Sequence, residues 1–224
     1  HPYSYLGGAT ISLSQLLNGM DKKNFEIVYL YIKKDSNLDL NKNIKIIKIK
    51  STRTLFSIIQ VRKILLKYNN KRFVKKIYIS NQNYSNIFTP FIPKDFQNFK
   101  SVLIERNHLD ELNYYESIKD FLKKNIIKKI MRLNYSKASL IIGNAKKLSK
   151  DLSAFVNKKI NTIYSPTNSS KIIKLSKSYI PSIIKRDSSR IRLLSVSRFT
   201  KRKDVLTLLE AFSSLSNKYK NVDL

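Results

Sequence analysis

Short apolar runs alternate with helix-length amphipathic stretches along almost the whole chain, and this alternation limits the fold more than any single motif does. Strand-like runs are read at residues 26–32, 44–49, 76–80, 101–105 and 139–144. Helical segments are read at residues 11–20, 55–68 and 117–138, with a further one starting near Lys146. A strand that must run parallel to its neighbour returns through a crossover, usually a helix, so this order predicts a parallel sheet with helices on both faces. Counting the elements gives an α/β fold: one Rossmann-like parallel-sheet domain lacking its first strand, then the first strand and helix of a second such domain. The boundaries expected are residues 1–165, a Ser- and Lys-rich connection over 166–190, and 191–224.

Residues 193–212, LLSVSRFTKRKDVLTLLEAF, open the second of these domains. Leu193, Leu194 and Val196 form a short apolar run, expected as a strand covered on both faces. Val205, Leu208, Leu209 and Phe212 recur at helical spacing. Between them lies a cationic turn, with Arg198 just past the strand and Lys203 at the helix entrance. A helix start offers unpaired N–H groups and partial positive charge, so the turn suits phosphate. In so basic a chain, a KRK run is more often a solvated turn.

The formal net charge of +29 suits a polyanionic partner, either nucleic acid or an anionic membrane. Against nucleic acid, the lysines are scattered rather than held in one block. Abundant Lys, Asn, Ile, Ser and Tyr with scarce Gly is also what an AT-rich coding sequence produces. At 42% hydrophobic the chain can bury a core. It has no cysteine, so neither a disulfide framework nor a thiolate metal site is available. Two histidines, no clustered carboxylates and no Asp-x-Asp pair argue against a metal centre. No apolar run reaches the ~20 residues of a membrane span, and no signal peptide is visible. The start at His1 rather than Met is read as a missing beginning.

Gly7 and Gly8 open the first helix, where glycine permits left-handed angles and close approach of a ligand. Such a loop normally follows a strand, and none is read ahead of it. The strand at 101–105 ends in ERNHLDEL, placing Glu105, Arg106, Asn107 and His108 where open α/β sheets bind ligands. A surface Arg–Glu pair followed by a helix-start His is the alternative. In the helix at 117–138, Phe121, Leu122, Ile126, Ile130 and Leu133 follow helical spacing among many lysines. Such a helix either packs on a core with a solvated Lys face or lies on an anionic leaflet. For the helix at 55–68, Leu55, Ile58, Ile59, Ile64 and Leu65 mark the expected inner face. Pro166 is expected to close the strand in KINTIYSPTN.

SVSRFTKRKDVLTLLEAF resembles the opening of the C-terminal domain in family 4 glycosyltransferases of the GT-B fold. HPYSYLGGATISLSQLLNGM resembles the family's glycine-loop segment, and an E-R-N stretch recurs at this strand end in a subset of the family. The family's Gly before the Arg is Ser197 here, and its Gly after the Lys is Asp204, a residue suited to cap the helix. The resemblance implies a retaining, metal-independent transfer of a sugar from a nucleotide-diphosphate donor to a glycan or lipid-linked acceptor, as in cell-surface polysaccharide or lipopolysaccharide synthesis. It implies that Arg198, Lys203, Gly7 and Gly8 hold the donor diphosphate. It places Glu105, Arg106 and Asn107 on the acceptor side of a cleft, and His108 beside the transferred sugar as a catalytic group. No cofactor is implied beyond the nucleotide sugar itself. The expected location is cytoplasmic, with peripheral contact on the inner face of the cell membrane as the further expectation. The family's acidic pair lies beyond residue 224, so the isolated chain is expected to be a fragment with little or no turnover. The rival readings are a basic nucleic-acid-binding protein and a non-catalytic subunit of the same fold.

Overall fold

The computed structural model describes residues 3–4, 7–21, 23–34, 38–69, 75–92, 99–166, 169–178, 189–197, 199 and 203–224. The chain divides into two compact units, His1–Asn168 and Ser169–Leu224.

The strands of the first unit are β1 (Tyr3–Ser4), β2 (Val28–Tyr31), β3 (Lys33–Lys34), β4 (Lys45–Lys48), β5 (Lys76–Asn81), β6 (Phe99–Glu105), β7 (Leu140–Gly143) and β8 (Asn161–Thr162). Its helices are α1 (Gly8–Gly19), α2 (Thr54–Asn69), α3 (Asn83–Asn86), α4 (Ile118–Asn134) and α5 (Lys146–Val156), with short 3-10 turns at Thr89–Phe91, Leu109–Leu112 and Tyr135–Lys137. Every strand pair is parallel. β5-β6-β7-β8 form one four-stranded sheet, while β2 pairs with β4 and β1 with β3. The coarse expectation of an α/β chain with a Rossmann-like parallel sheet therefore holds. A two-residue strand does precede α1, contrary to the reading that none does.

The main core lies between this sheet and two helices. Leu103 of β6 and Ile141 of β7 are fully buried against Ile127, Met131, Leu152 and Val156 from α4 and α5. A strand buried on both faces needs such a continuous apolar run rather than alternation. α4 begins cleanly because the Ser117 Oγ accepts the Asp120 N–H at 3.1 Å, and Asp120 sits at the positive end of the helix. α5 can lie close on β7 because Gly143 has no side chain. A Cβ there would stand 2.3 Å from the Ser149 Oγ and 3.0 Å from the Leu148 Cδ2. A second apolar cluster joins Ile32, Ile49 and Ile92 to Val61 and Leu65 of α2. Among the described residues no helix is long and apolar enough to cross a membrane.

Two helices turn inward only part of the face expected. α4 buries Ile127, Met131 and Asn134, and leaves Phe121, Leu122, Ile126 and Leu133 exposed. α2 buries Ser57, Val61 and Leu65 and packs the expected Ile58 and Ile64 against the same cluster, with Leu55 and Ile59 exposed. Apolar residues run most of the way round both helices, so periodicity alone has no single solution. Contact with the sheet selects one.

The second unit contains α6 (Ser169–Ser176), β9 (Ile191–Arg192), α7 (Val205–Lys218) and β10 (Val222–Asp223). α6 lies inside the stretch expected as a plain connection. The strand expected from Leu193 to Val196 ends at Arg192 instead, where β9 pairs with β10. Leu194 and Val196 are 86% and 87% exposed, so they are not a buried strand. α7 forms as expected but buries no residue fully.

Candidate functional site

The C-terminal edge of the four-stranded sheet collects the chemistry. Register aligns Asn81 with Ile104, Glu105 with Gly143 and Gly143 with Thr162, so these strand ends form one rim. Successive side chains on a strand point to opposite sides. That parity separates Glu105 from Arg106, although they are neighbours in sequence.

Glu105 turns inward and is 2% exposed. Its Oε2 accepts the Tyr135 hydroxyl at 2.8 Å and the Asn86 Nδ2 at 3.2 Å. Its Oε1 accepts the Arg106 N–H at 3.1 Å and, at 3.5 Å, the Asn107 N–H. Ser80 Oγ donates in turn to the Asn86 Oδ1, and Asn86 also reaches the Ile104 carbonyl at 3.0 Å. Burial pushes the Glu105 carboxyl above its ordinary range, while the four donors pull it back. Burial pushes the Tyr135 phenol well up, and the neighbouring Glu105 charge adds to this.

Arg106 reaches along the rim. Its Nε donates to the Asn81 Oδ1 at 2.6 Å, and one Nη donates to the Ser12 Oγ at 3.1 Å and the Ser165 Oγ at 3.0 Å. Three segments distant in sequence are thus tied to one guanidinium. Burial lowers its pKa, yet an arginine stays charged at any physiological pH. The expected alternative of a surface Glu–Arg pair is not formed, since the two side chains part company at the strand end. Asn107 is exposed.

Beside Asn81, Gln82 holds φ 98° and ψ 146°, a region that is nearly glycine-only. Its N–H donates to the Ile104 carbonyl at 3.2 Å, and its carbonyl accepts from Ser85 and Asn86. The strained residue therefore lies at the rim and is held there from both sides.

Gly7 stands at the N-cap of α1 with φ −158° and ψ 159°, and no side chain caps that helix end. This is extended backbone. No glycine among the described residues has a positive φ, which corrects the expectation of left-handed angles. A Cβ on Gly8 would meet nothing within 4 Å, so the protein's own packing does not require glycine there.

His108 shares none of Arg106's partners among the described residues. Its Nε2 lies 2.8 Å from the Asp151 Oδ2 of α5, and its Nδ1 lies 2.8 Å from the Asp110 Oδ2. Both ring nitrogens are occupied, and the ring ties the 3-10 turn after β6 to α5. Lys203 belongs to the second unit and is exposed. Arg198 lies outside the described residues. Asp204 occupies the N-cap position of α7, but its side chain makes no cap bond, and its backbone is left-handed at φ 46°. The helix-capping role expected for it is therefore not the one it plays.

Sequence reasoning found Glu105 and Arg106 but missed their partners. Asn81 is the last residue of β5 and opens a polar run, and Ser165 falls in the segment after β8, but nothing in spacing links either to Arg106. Tyr135 and Asn86 gave no local signal, because their roles depend on which helix turn faces β6. No protein-family model matches the chain, and no curated protein is similar to it.

Proposed function

We propose that this chain is part of a glycosyltransferase that moves a sugar from a nucleotide-diphosphate donor to a glycan or lipid-linked acceptor with retention of configuration. One observation supports this reading above the others. The glycine-loop helix and the ERN strand end, the two first-unit segments that carry the family resemblance, meet in space through Arg106 and Ser12 at 3.1 Å. They meet at the carboxyl edge of a parallel sheet, where such folds hold ligands. In the reaction, the bond from the anomeric carbon to the diphosphate oxygen breaks and its electron pair goes to that oxygen. The acceptor oxygen bonds to the same carbon, and its proton passes to the departing diphosphate. The growing negative charge would be met by the open start of α1, as electrostatic stabilisation, and the family resemblance gives Arg198 and Lys203 the same part. His108, with Nε2 on the Asp151 carboxylate and Nδ1 accepting the Asp110 N–H, is given the part of holding the loop that carries Asn107.

The test uses protein expressed from its complete reading frame, supplied with UDP-, GDP- and dTDP-sugars and a membrane lipid extract. Nucleoside diphosphate release that needs both donor and extract is expected. Gly8→Ala should leave the melting temperature unchanged, because its new methyl meets open space. The same change should lower kcat/KM by about tenfold or more, roughly 1.4 kcal/mol of transition-state binding. Folded protein that releases nothing from any of these donors would end the proposal.

A peripheral membrane contact belongs to the same reading. Ile118, Leu122, Ile126 and Leu133 of α4 are exposed and lie within about 80° of arc at 100° per residue. Lys119, Lys129 and Arg132, also exposed, stand within or beside that arc. An apolar strip edged by cations complements an anionic lipid surface.

A further inference from the structure

Arg106 brings a full positive charge to the sheet edge, and among the described residues no carboxylate pairs with it. The nearest candidate, Glu105, is turned into the core and committed to Tyr135, Asn86 and two backbone N–H groups. The guanidinium is met instead by three neutral oxygens, from Asn81, Ser12 and Ser165. Partly desolvating a cation without an anion is unfavourable. A neutral amide could tie these segments without that penalty, so the charge has a purpose only if an anion joins it.

The guanidinium keeps donors free for one. Nε and one Nη make the three bonds, and the second Nη makes none among the described residues. Ser165 is exposed, so solvent reaches the guanidinium on that side. A planar fork with spare N–H groups matches the oxygens of phosphate. Ser12 lies about one helical turn along α1 from Gly8, and the α1 start lacks a capping side chain. Its first N–H groups reinforce the positive potential. Donors from a guanidinium and from the two hydroxyls bonded to it suit tetrahedral oxygens better than a flat carboxylate.

We propose that Arg106 binds a phosphate group of a ligand seated on this edge, with Asn81, Ser12 and Ser165 fixing the plane of the guanidinium. The glycosyl-transfer reading supplies the two sources of that phosphate, the donor's diphosphate or a phosphate joining lipid to acceptor. The binding itself does not depend on that reading.

The experiment follows the Arg106 Nε–H signal and the backbone amides of Asn81, Arg106 and Ser165 by NMR in the full 224-residue chain. Pyrophosphate is titrated at constant ionic strength, with sodium chloride as the control. Saturable shifts of these signals are expected, with at least tenfold weaker binding in Arg106→Met and an intermediate loss in Arg106→Lys, which keeps the charge but not the fork. UDP binding more tightly than pyrophosphate assigns the phosphate to the donor. Farnesyl diphosphate doing so assigns it to a lipid-linked acceptor. Signals that move equally with chloride, or stay still, overturn the site, as does a folded Arg106→Met that binds pyrophosphate like the wild type. If Arg106→Met does not fold, the wild-type signals and Arg106→Lys decide. Phosphate binding here, with no sugar turnover by protein expressed from the complete reading frame, would keep this site and remove the transferase reading, and such turnover without any shift here would do the reverse.

Discussion

Glu105 and Arg106 are adjacent, opposite in charge and not paired, and the strand's two-sidedness is the reason. Glu105 is the hub of a buried polar network. Replacing it with Ala strands the Tyr135 hydroxyl and part of the Asn86 amide in the core. Each buried group left unsatisfied costs about 1–3 kcal/mol, so Glu105→Ala should lower stability by about 3 kcal/mol in chemical denaturation. The pH dependence has a definite sign. Burial raises the Glu105 pKa in the folded state, so its protonated form is favoured by folding. That contribution is complete below the ordinary carboxyl value of about 4.3 and is lost as pH rises through the folded value. The stability gap between wild type and Glu105→Ala should therefore narrow from pH 4 to pH 7. A gap that widens would contradict the burial argument. Asp204 gives a second residue-level test. Its φ of 46° is left-handed, which glycine adopts freely and a β-branched residue resists. Asp204→Gly should be neutral or stabilising by up to about 1 kcal/mol, and Asp204→Val destabilising by about 1–2 kcal/mol, read as helicity and melting of the second unit.

At the scale of elements, α4 has two faces of different character. Ile127 and Met131 fasten it to the sheet beside Tyr135, so the helix supports the Glu105 network. The opposite face presents Ile118, the most exposed of its large apolar residues at 80%, with Leu122, Ile126 and Leu133. Its start is anchored by Ser117 and by the Asp120–Lys124 pair at 2.7 Å, and Lys124 holds the Asp120 carboxyl below its usual range. The membrane reading predicts co-flotation with vesicles containing phosphatidylglycerol and little with pure phosphatidylcholine. Changing Ile118, Leu122 and Ile126 together to Ser should abolish flotation without changing the fold, since none of the three is buried. Equal recovery with both lipids, or an unaffected triple variant, would refute it.

For the whole molecule, burial is unevenly distributed between the two units. Among the described residues, the three buried apolar clusters all lie in the first unit. In the second, α7 has no fully buried residue, and the strands pair over two residues. Local stability follows buried contact, so amide exchange should be slowest in β6, β7 and α4 and fastest, among regular elements, in α6 and α7. Exchange in α7 as slow as in β6 would show that something covers it. Much of the architecture was readable in advance. Strand and helix alternation predicted β2, β4, β5, β6 and β7 and the helices between them, because a two-residue or 3.6-residue period depends on neighbours along the chain. The end of the apolar run at Leu193–Val196 was not readable, because an apolar run becomes a buried strand only if a partner and a cover exist.

The amino-acid order by itself determined the α/β class, the parallel sheet and the placing of Glu105 and Arg106 at a strand end, since all three follow from local period and turn chemistry. Only the tertiary structure decided which face of α4 goes inward, that Glu105 is buried while Arg106 is not, and that Asn81, Ser12 and Ser165 converge on one guanidinium. Those outcomes depend on contacts between residues up to 94 positions apart, and no pattern along the chain encodes a distance across space.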